Sequence, residues 1–391
     1  MTYRRARIKF KLEQIGMFPF VVAGKLYGKL FPYKGPESIF LFFSSADIGG
    51  ASIVNLDIAK CVKDKKPLII LSKNPKNNGF KDLFYKADIP IIDLHRKIDN
   101  KLFHFVNFFY RGILAEWINQ RKNPVVFGGE CLFFYKIIPH LRKDIRCVEL
   151  CHLDKWLTYS IGLIDRIDSR ICSTQRLKET IIEQYQKEGV NDQLYSRLHF
   201  IENKIDIPEL KEIHNPQLEV VYIGRGAPQK RIHLIAAIAK QMYLSKLPVH
   251  FSFVGDVEKI IDPAEFPFCK FYGNVSDERK MNAIYQESDV LILTSAFEGL
   301  PLVVMYMMAY GKSVLSTAVD GIPEYIIHLE NGLLIRSTDE AGIIEEGAEL
   351  LRLLIQDPEL KTRLGMRGRE IAIRKFSGKL FCMEYRKWLV L

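Results

Sequence analysis

Short apolar runs recur along the chain, each closed by a polar or glycine-bearing turn and followed by a segment of helical periodicity. A first series lies at 39–43, 67–72, 90–94, 124–127, 147–151 and 170–174. A second lies at 218–223, 249–255, 268–275, 289–293, 313–317 and 333–335. Runs such as IFLFF at 39–43 and VLIL within 289–293 carry no polar face, as expected of strands buried in a parallel sheet. Helices are expected at 51–61, 102–119, from 175 onward, and at 302–310, 340–355 and 358–373, with a closing helix at 376–391. Strands alternating with helices predict an α/β protein. The two series are separated at 207–217, where Pro208 and Pro216 punctuate a linker.

Residues 1–35 break this pattern. Arg4, Arg5, Arg7, Lys9, Lys11, Lys25, Lys29 and Lys34 face a single acid, Glu13, among Phe10, Ile15, Phe18, Phe20, Leu26 and Leu30. The apolar run 15–23 is too short to span a bilayer and holds Pro19. It resembles the middle of a secretory leader but is short and broken by the proline. Two readings stand: an amphipathic segment lying on anionic headgroups, or a solvated arm or helix packed on the first domain.

With 391 residues the chain has room for two cores, and 48% hydrophobic with 26% charged residues excludes wholesale disorder. The net charge of +10 favours anionic partners: a diphosphate, an anionic acceptor or a lipid surface. No nucleic-acid motif accompanies it, so nucleic acid is not expected as a partner. The seven cysteines, at 61, 131, 147, 151, 172, 269 and 382, are odd in number and scattered, which reads as reduced thiols in a cytosolic protein. Cys147, Cys151 and His152 invite a zinc reading. A strand with both cysteines on one face is simpler, and no metal is expected.

The most informative stretch is 295–326, SAFEGLPLVVMYMMAYGKSVLSTAVDGIPEYI. Pro301 suits the first turn of a helix and Gly311 the residue past its end. A strand–turn–helix–strand unit aims the N–H groups of Gly299, Leu300 and Leu302 outward at the sheet's carboxyl end, an anion site favoured by the helix dipole. Glu298 at its lip would repel a phosphate but accept hydrogen bonds from sugar hydroxyls. An ordinary βαβ unit explains the punctuation but not Glu298.

Glu298, Gly299, Leu300, Pro301, Leu302, Met308, Ala309 and Gly311, followed by Gly321-Ile322-Pro323-Glu324, resemble the signature of retaining glycosyltransferases of family 4. The resemblance covers nearly all of the chain after residue 37, most strongly 218–335. It implies the GT-B fold: two Rossmann-like, doubly wound α/β domains facing a cleft, with a closing helix that crosses back. The implied domains are a basic amphipathic arm at 1–35, an acceptor-binding domain at 36–206, a nucleotide-sugar-binding domain at 207–375, and a helix at 376–391 packed on the first domain. Three positions within 295–326 depart from the family, and Lys204 replaces a glycine where the first domain closes. Tyr306 replaces a glutamate that grips the donor ribose, and a phenol cannot accept two hydrogen bonds as a carboxylate does. Ser313 replaces a proline and Asp320 a glycine.

Further site residues follow from the same resemblance. Gly224-Arg225-Gly226-Ala227-Pro228-Gln229-Lys230-Arg231 resembles the diphosphate-binding loop, whose fixed cations meet the charge that develops on the leaving nucleoside diphosphate. Arg225 and Lys230 carry that role, with Arg231 beside them. Gly49 and Gly50 match the first βα loop, and Val275 borders the nucleobase. His152, at the end of the strand 147–151, would reach the transferred sugar. Glu130, Asp154 and Trp156 are acceptor-side candidates. Ser276 is expected to cap the next helix. The implied activity is transfer of a sugar, with retention, from a UDP- or GDP-sugar to a glycan or lipid-linked acceptor of the surface-polysaccharide type. The expected location is cytoplasmic, with the arm on the inner face of the membrane as one reading. The alternatives are an inactive relative that binds nucleotide sugar or glycan, motivated by Tyr306, an epimerase acting on the same donors, and a membrane module whose cleft is idle.

Overall fold

The computed structural model describes residues 2–99, 104–154, 157–211 and 213–390. The chain divides into two compact units, Met1–Ile201 with Lys379–Leu391, and Glu202–Gly378.

In the first unit, β1 (Ile39–Phe43), β2 (Leu68–Leu71), β3 (Ile91–Asp93), β4 (Val125–Gly129), β5 (Arg146–Cys151), β6 (Ser169–Cys172) and β7 (Leu198–Phe200) form one sheet. The order is β3-β2-β1-β4-β5-β6-β7 and every pairing is parallel. All of β1 is buried, as its unbroken apolar run requires. Because β1 lies between β2 and β4, the chain reverses direction across the sheet there. The loops leaving β1 and β4 diverge and open a crevice at their carboxyl ends.

Residues 3–30 are one helix, Tyr3–Leu30, capped by the Thr2 hydroxyl and continuous through Pro19. The proline therefore does not break the segment, contrary to the sequence expectation. The helix packs on His104–Asn119 at very close range: a Cβ on Gly24 would meet Phe109 O at 2.0 Å, and one on Gly112 would meet Val21 O at 2.2 Å. Glycine is required at that crossing. The opposite face leaves Ile8, Leu12, Ile15, Leu26 and Leu30 exposed, the last at 75%. Among the described residues no helix is long and apolar enough to cross a membrane.

The closing helix, Gly378–Leu389, belongs to the first unit by contact. Arg386 reaches the Asp64 carboxylate and the Cys61 carbonyl, and Trp388 stacks on His199 at 4.0 Å. Cys61 and Cys382 are joined in a disulfide, with Cα atoms 5.0 Å apart. This corrects the reading of seven reduced thiols. The partners are separated by 321 positions, and only the docking of the closing helix brings them within bridging range. Cys131, Cys147, Cys151 and Cys172 are free and buried, and Cys269 is free.

The second unit holds β8 (Leu218–Ile223), β9 (Val249–Val254), β10 (Cys269–Gly273), β11 (Val290–Leu293), β12 (Ser313–Thr317) and β13 (Leu333–Ile335). Their order is β10-β9-β8-β11-β12-β13, all parallel. The reversal point here lies between β8 and β11. The helix Leu302–Ala309 ends close to the expected place, with Gly311 in the left-handed region at φ +68°. Pro301 stands just before the helix rather than in its first turn. Asp277, not Ser276, caps the helix Glu278–Glu287, accepting from the Lys280 N–H.

Candidate active site

The loops that leave β8 and β11 are fastened to each other. Behind β8, the Tyr222 phenol donates to Arg225 O at 3.0 Å, and the Gly226 N–H donates to the Asp256 carboxylate at 2.7 Å. Gly255 makes this approach possible: it sits at φ +121°, and a Cβ there would meet Gly224 O at 1.8 Å. The turn Pro228–Lys230 follows, then Arg231 in the left-handed region at φ +45°. The Arg231 guanidinium donates to Thr294 O at 2.7 Å and to Ser295 O at 2.9 Å, and the Gln229 amide donates to Phe297 O at 2.7 Å. Arg231 is thus a brace between loops rather than a further cation for a ligand.

This bracing sets Lys230 on Glu298. The ammonium and carboxylate form an ion pair whose side chains are only 13% and 8% exposed. The same carboxylate oxygen accepts from the Ser295 hydroxyl at 2.6 Å. The Glu298 N–H donates to the Asp320 carboxylate at 2.8 Å. Asp320 occupies the left-handed region at φ +42°, the position where the family has a glycine. The aspartate takes this backbone conformation itself and uses its side chain to fix the Glu298 N–H. The sequence had given Lys230 and Glu298 separate ligands, and the structure brings them together. Arg225 is exposed, and its guanidinium enters no ion pair among the described residues. No hydrogen bond within the described chain engages the N–H groups of Gly299, Leu300 or Leu302. The helix Leu302–Ala309 begins directly behind them, and the start of a helix favours negative charge.

Tyr306 lies on that helix with its ring stacked on Tyr285 at 5.2 Å, and Tyr310 stacks on Tyr285 at 5.4 Å. Burial, with Tyr306 and Tyr310 nearby, raises the Tyr285 phenol above its ordinary range. Val275 is half-buried just beyond β10.

In the first unit, Gly49 stands before the helix Gly50–Cys61, at the exit of β1. The Glu130 carboxylate, at the exit of β4, accepts the His152 N–H at 3.0 Å, and Glu130 O accepts from the Ser44 hydroxyl at 2.9 Å. Glu130 and His152 therefore meet, as neighbouring strand ends should. The His152 Nε2 is buried without a hydrogen-bond partner. Burial lowers its pKa, with Glu130 opposing the shift, so the ring is neutral near pH 7. Asn55 was missed by sequence reasoning. Its Oδ1 is buried and unpartnered, and a Cβ on Gly129 would meet it at 2.1 Å. Nothing in a lone helical asparagine signals this. The two unpartnered atoms lie at neighbouring strand ends of the first sheet. Asp154 is exposed on the adjacent loop, and Trp156 lies outside the described residues. Among the described residues no group of three or more His, Cys, Asp or Glu side chains is placed to hold a metal ion.

Residues 203–371 match the family model of glycosyl transferases group 1. That stretch belongs to the group 1 glycosyltransferases. A relative of nearly equal length, an uncharacterized glycosyltransferase of Methanocaldococcus jannaschii, is 23% identical over 87% of this chain and 94% of its own. The capsular polysaccharide biosynthesis glycosyltransferase CapM of Staphylococcus aureus is 22% identical over 57% and 59% of the two chains. Among solved structures, HepE of Anabaena in complex with UDP and glucose superposes with a TM-score of 0.69 at 19% identity, over 90% of this chain and 98% of that one. TarM of S. aureus gives 0.72 at 13% identity, over 91% and 100%. The fold is GT-B, built from two Rossmann-like units with parallel sheets.

Proposed function

We propose that the protein transfers a sugar from a nucleoside diphosphate sugar, UDP- or GDP-linked, to a glycan or lipid-linked glycan, with retention and without a metal ion. The observation that carries this reading is the cluster at the exits of β8 and β11. It combines the unengaged Arg225 guanidinium, Lys230 on Glu298, and the unengaged N–H groups of Gly299, Leu300 and Leu302. Arg225 and Lys230 take the diphosphate, the N–H groups take the sugar-proximal phosphate, and Glu298 accepts from sugar hydroxyls. The bond from the anomeric carbon to the diphosphate oxygen breaks while the acceptor oxygen bonds that carbon on the same face. The acceptor proton passes to the leaving phosphate, whose developing charge the fixed cations offset. His152, Glu130, Asp154 and Trp156 are assigned to the acceptor side. Relatives named for capsular polysaccharide and lipopolysaccharide core biosynthesis support a glycan acceptor, and structural neighbours that hold UDP or UDP-glucose support the donor.

A sugar-nucleotide panel read by thermal shift tests this, since a ligand bound only to the native state must stabilise it. UDP or GDP should raise the Tm, and Arg225→Ala with Lys230→Ala should abolish the rise. An undiminished rise in that variant overturns the assignment. The anomeric configuration of the product, read by NMR, tests retention.

A second reading has a specific observation behind it: Tyr306 is packed on Tyr285 where the family places a carboxylate. On this reading the protein binds a sugar nucleotide or glycan without turnover. Donor hydrolysis appearing only in Tyr306→Glu favours it, and turnover by the native protein excludes it. The helix Tyr3–Leu30 extends the main reading to a peripheral site on the inner membrane face. Its exposed Ile8, Leu12, Ile15, Leu26 and Leu30 run beside exposed Arg4, Arg5, Lys9, Lys11 and Lys29, which suits an anionic interface. Sedimentation with phosphatidylglycerol vesicles should therefore exceed that with phosphatidylcholine vesicles and be lost in Ile15→Glu.

A further inference from the structure

Part of one face of the second sheet, toward the amino ends of β8 and β9, is not core. Parallel sheets are ordinarily covered on both faces, yet β8 to β10 alternate: Leu218-Glu219-Val220, then His250-Phe251-Ser252-Phe253, then Lys270-Phe271-Tyr272. The register sets Glu219 beside His250 and Ser252 beside Lys270. Successive residues point to opposite faces. Tyr222, Phe253 and Phe271 fill one face, where Phe253 stacks on Phe271 at 5.2 Å. Glu219, His250, Ser252, Lys270 and Tyr272 occupy the other. The reason this face is open lies in the connection from β9 to β10, which holds only the short turns Val257–Lys259 and Pro263–Glu265. No helix in that connection can cover the sheet. The helix Glu278–Glu287 closes one flank through Ile284 and Glu287, leaving a cavity of about 370 Å³. That volume lies within the range of small-ligand sites, roughly 300–1,000 Å³.

The lining decides what fits. Glu219 accepts from His250 Nδ1 at 2.8 Å and from the Gln217 amide at 3.3 Å. Glu287 adds a second carboxylate, Asn215 an amide and Lys270 one ammonium, 4.5 Å over the Tyr272 ring. Cations do not exceed carboxylates, so a nucleotide or phosphate is disfavoured. Apolar lining is too sparse for a lipid tail. Carboxylate acceptors stand among amide, imidazole and ammonium donors, a mix that vicinal hydroxyls can satisfy, since each hydroxyl both donates and accepts.

We propose that this cavity is a saccharide-binding site separate from the cluster at the strand exits. Glu219 and His250 lie at the opposite ends of their strands from the loops that begin at Gly224 and Gly255, roughly 15 Å of β-strand away. A glycosyltransferase with such a site holds a glycan by a second grip, whichever donor it uses, so the inference stands apart from the donor assignment above.

Saturation-transfer NMR on the full chain, with maltose, N-acetylglucosamine and galactose as probes, tests it. At least one should bind, and binding should persist at saturating UDP. It should weaken at least about tenfold in Glu219→Gln, which loses a charged acceptor, and in Lys270→Ala, made separately so that one misfolded variant does not decide the outcome. The UDP thermal shift should stay unchanged in both. Three results overturn the proposal: no probe bound by the native protein, competition by UDP, or binding that ignores both substitutions. Inorganic phosphate or glycine displacing the sugar would overturn it as well, by showing an anion or zwitterion site.

Discussion

Lys230→Met removes the ammonium from a carboxylate that is 7% exposed. Breaking a buried pair from one side costs about 3–5 kcal/mol, because the remaining charge stays in a poor solvent. Glu298 keeps the Ser295 hydroxyl at 2.6 Å and Lys230 is 13% exposed, so the lower end applies, about 3 kcal/mol. For a unit of this size each kcal/mol lowers Tm by about 2–4 °C, giving about 6–12 °C. In Lys230→Met/Glu298→Gln the stranded charge is gone and the amide still meets Ser295. That double variant should recover about 2 kcal/mol relative to the single one, since replacing a whole buried pair is often close to neutral. The assay separates the units without cutting the chain. Trp117, Trp156 and Trp388 all lie outside Glu202–Gly378. Tryptophan fluorescence therefore follows the first unit while far-UV circular dichroism follows both. The dichroism transition should split in Lys230→Met with the fluorescence midpoint unmoved. A double variant less stable than Lys230→Met would refute the reasoning, as would a single variant within about 2 °C of the native protein.

Three further outcomes can be checked. Asp47 accepts the N–H groups of Lys76, Asn77 and Asn78 and the Ser45 hydroxyl; burial alone would raise its pKa, but these bonds outweigh that and lower it. The loop 73–80 should thus stay protected until the pH falls below the ordinary 3.8, whereas Asp47→Asn should open it to limited proteolysis at pH 7. His140 is pushed down to about 4 by burial, then by Arg111 and Lys25, so between its ordinary 6.5 and 4 the unfolded chain binds more protons. Stability of the first unit should fall as pH drops through that window, and His140→Phe should flatten the fall in the tryptophan-monitored midpoint. Maleimide labelling of the denatured, unreduced chain should modify the five free thiols, and all seven after reduction. Seven before reduction would remove the Cys61–Cys382 bond.

The strands were legible because burial on both faces leaves a local signature: β1, β11 and β12 are uniformly buried and lie where apolar runs placed them. That Arg225, Lys230 and Glu298 lie on the loops leaving β8 and β11 was legible through the glycines and prolines that force those loops. What stayed hidden depends on partners distant in sequence. Nothing local tells that Arg231 braces Thr294 and Ser295 while its neighbour Lys230 pairs with Glu298. The same holds for Cys382, which meets Cys61 only after the closing helix has docked. Asp320 was visible as a departure, but its function required knowing that φ is positive there and that the Glu298 N–H lies 2.8 Å away.

Asp320 and Tyr306 invite the same question, whether a departure from the family weakens the site or rebuilds it, and they receive different answers. Asp320 takes the left-handed backbone itself and adds a side-chain acceptor for the Glu298 N–H. Tyr306 takes another course. Its ring and that of Tyr310, one helical turn on, both stack on the buried Tyr285, and each such pair contributes about 0.5–1.5 kcal/mol beyond area burial. A carboxylate set against those rings would lose stacking and meet an apolar wall that resists its ionisation. Tyr306→Glu is therefore a costly reversion, expected to lower Tm by about 2–4 °C or more. If it nevertheless tightens UDP binding, the aromatic packing was gained at the expense of the ribose grip. If UDP binding is unchanged while Tm falls, the nucleotide is held without any contact at this position.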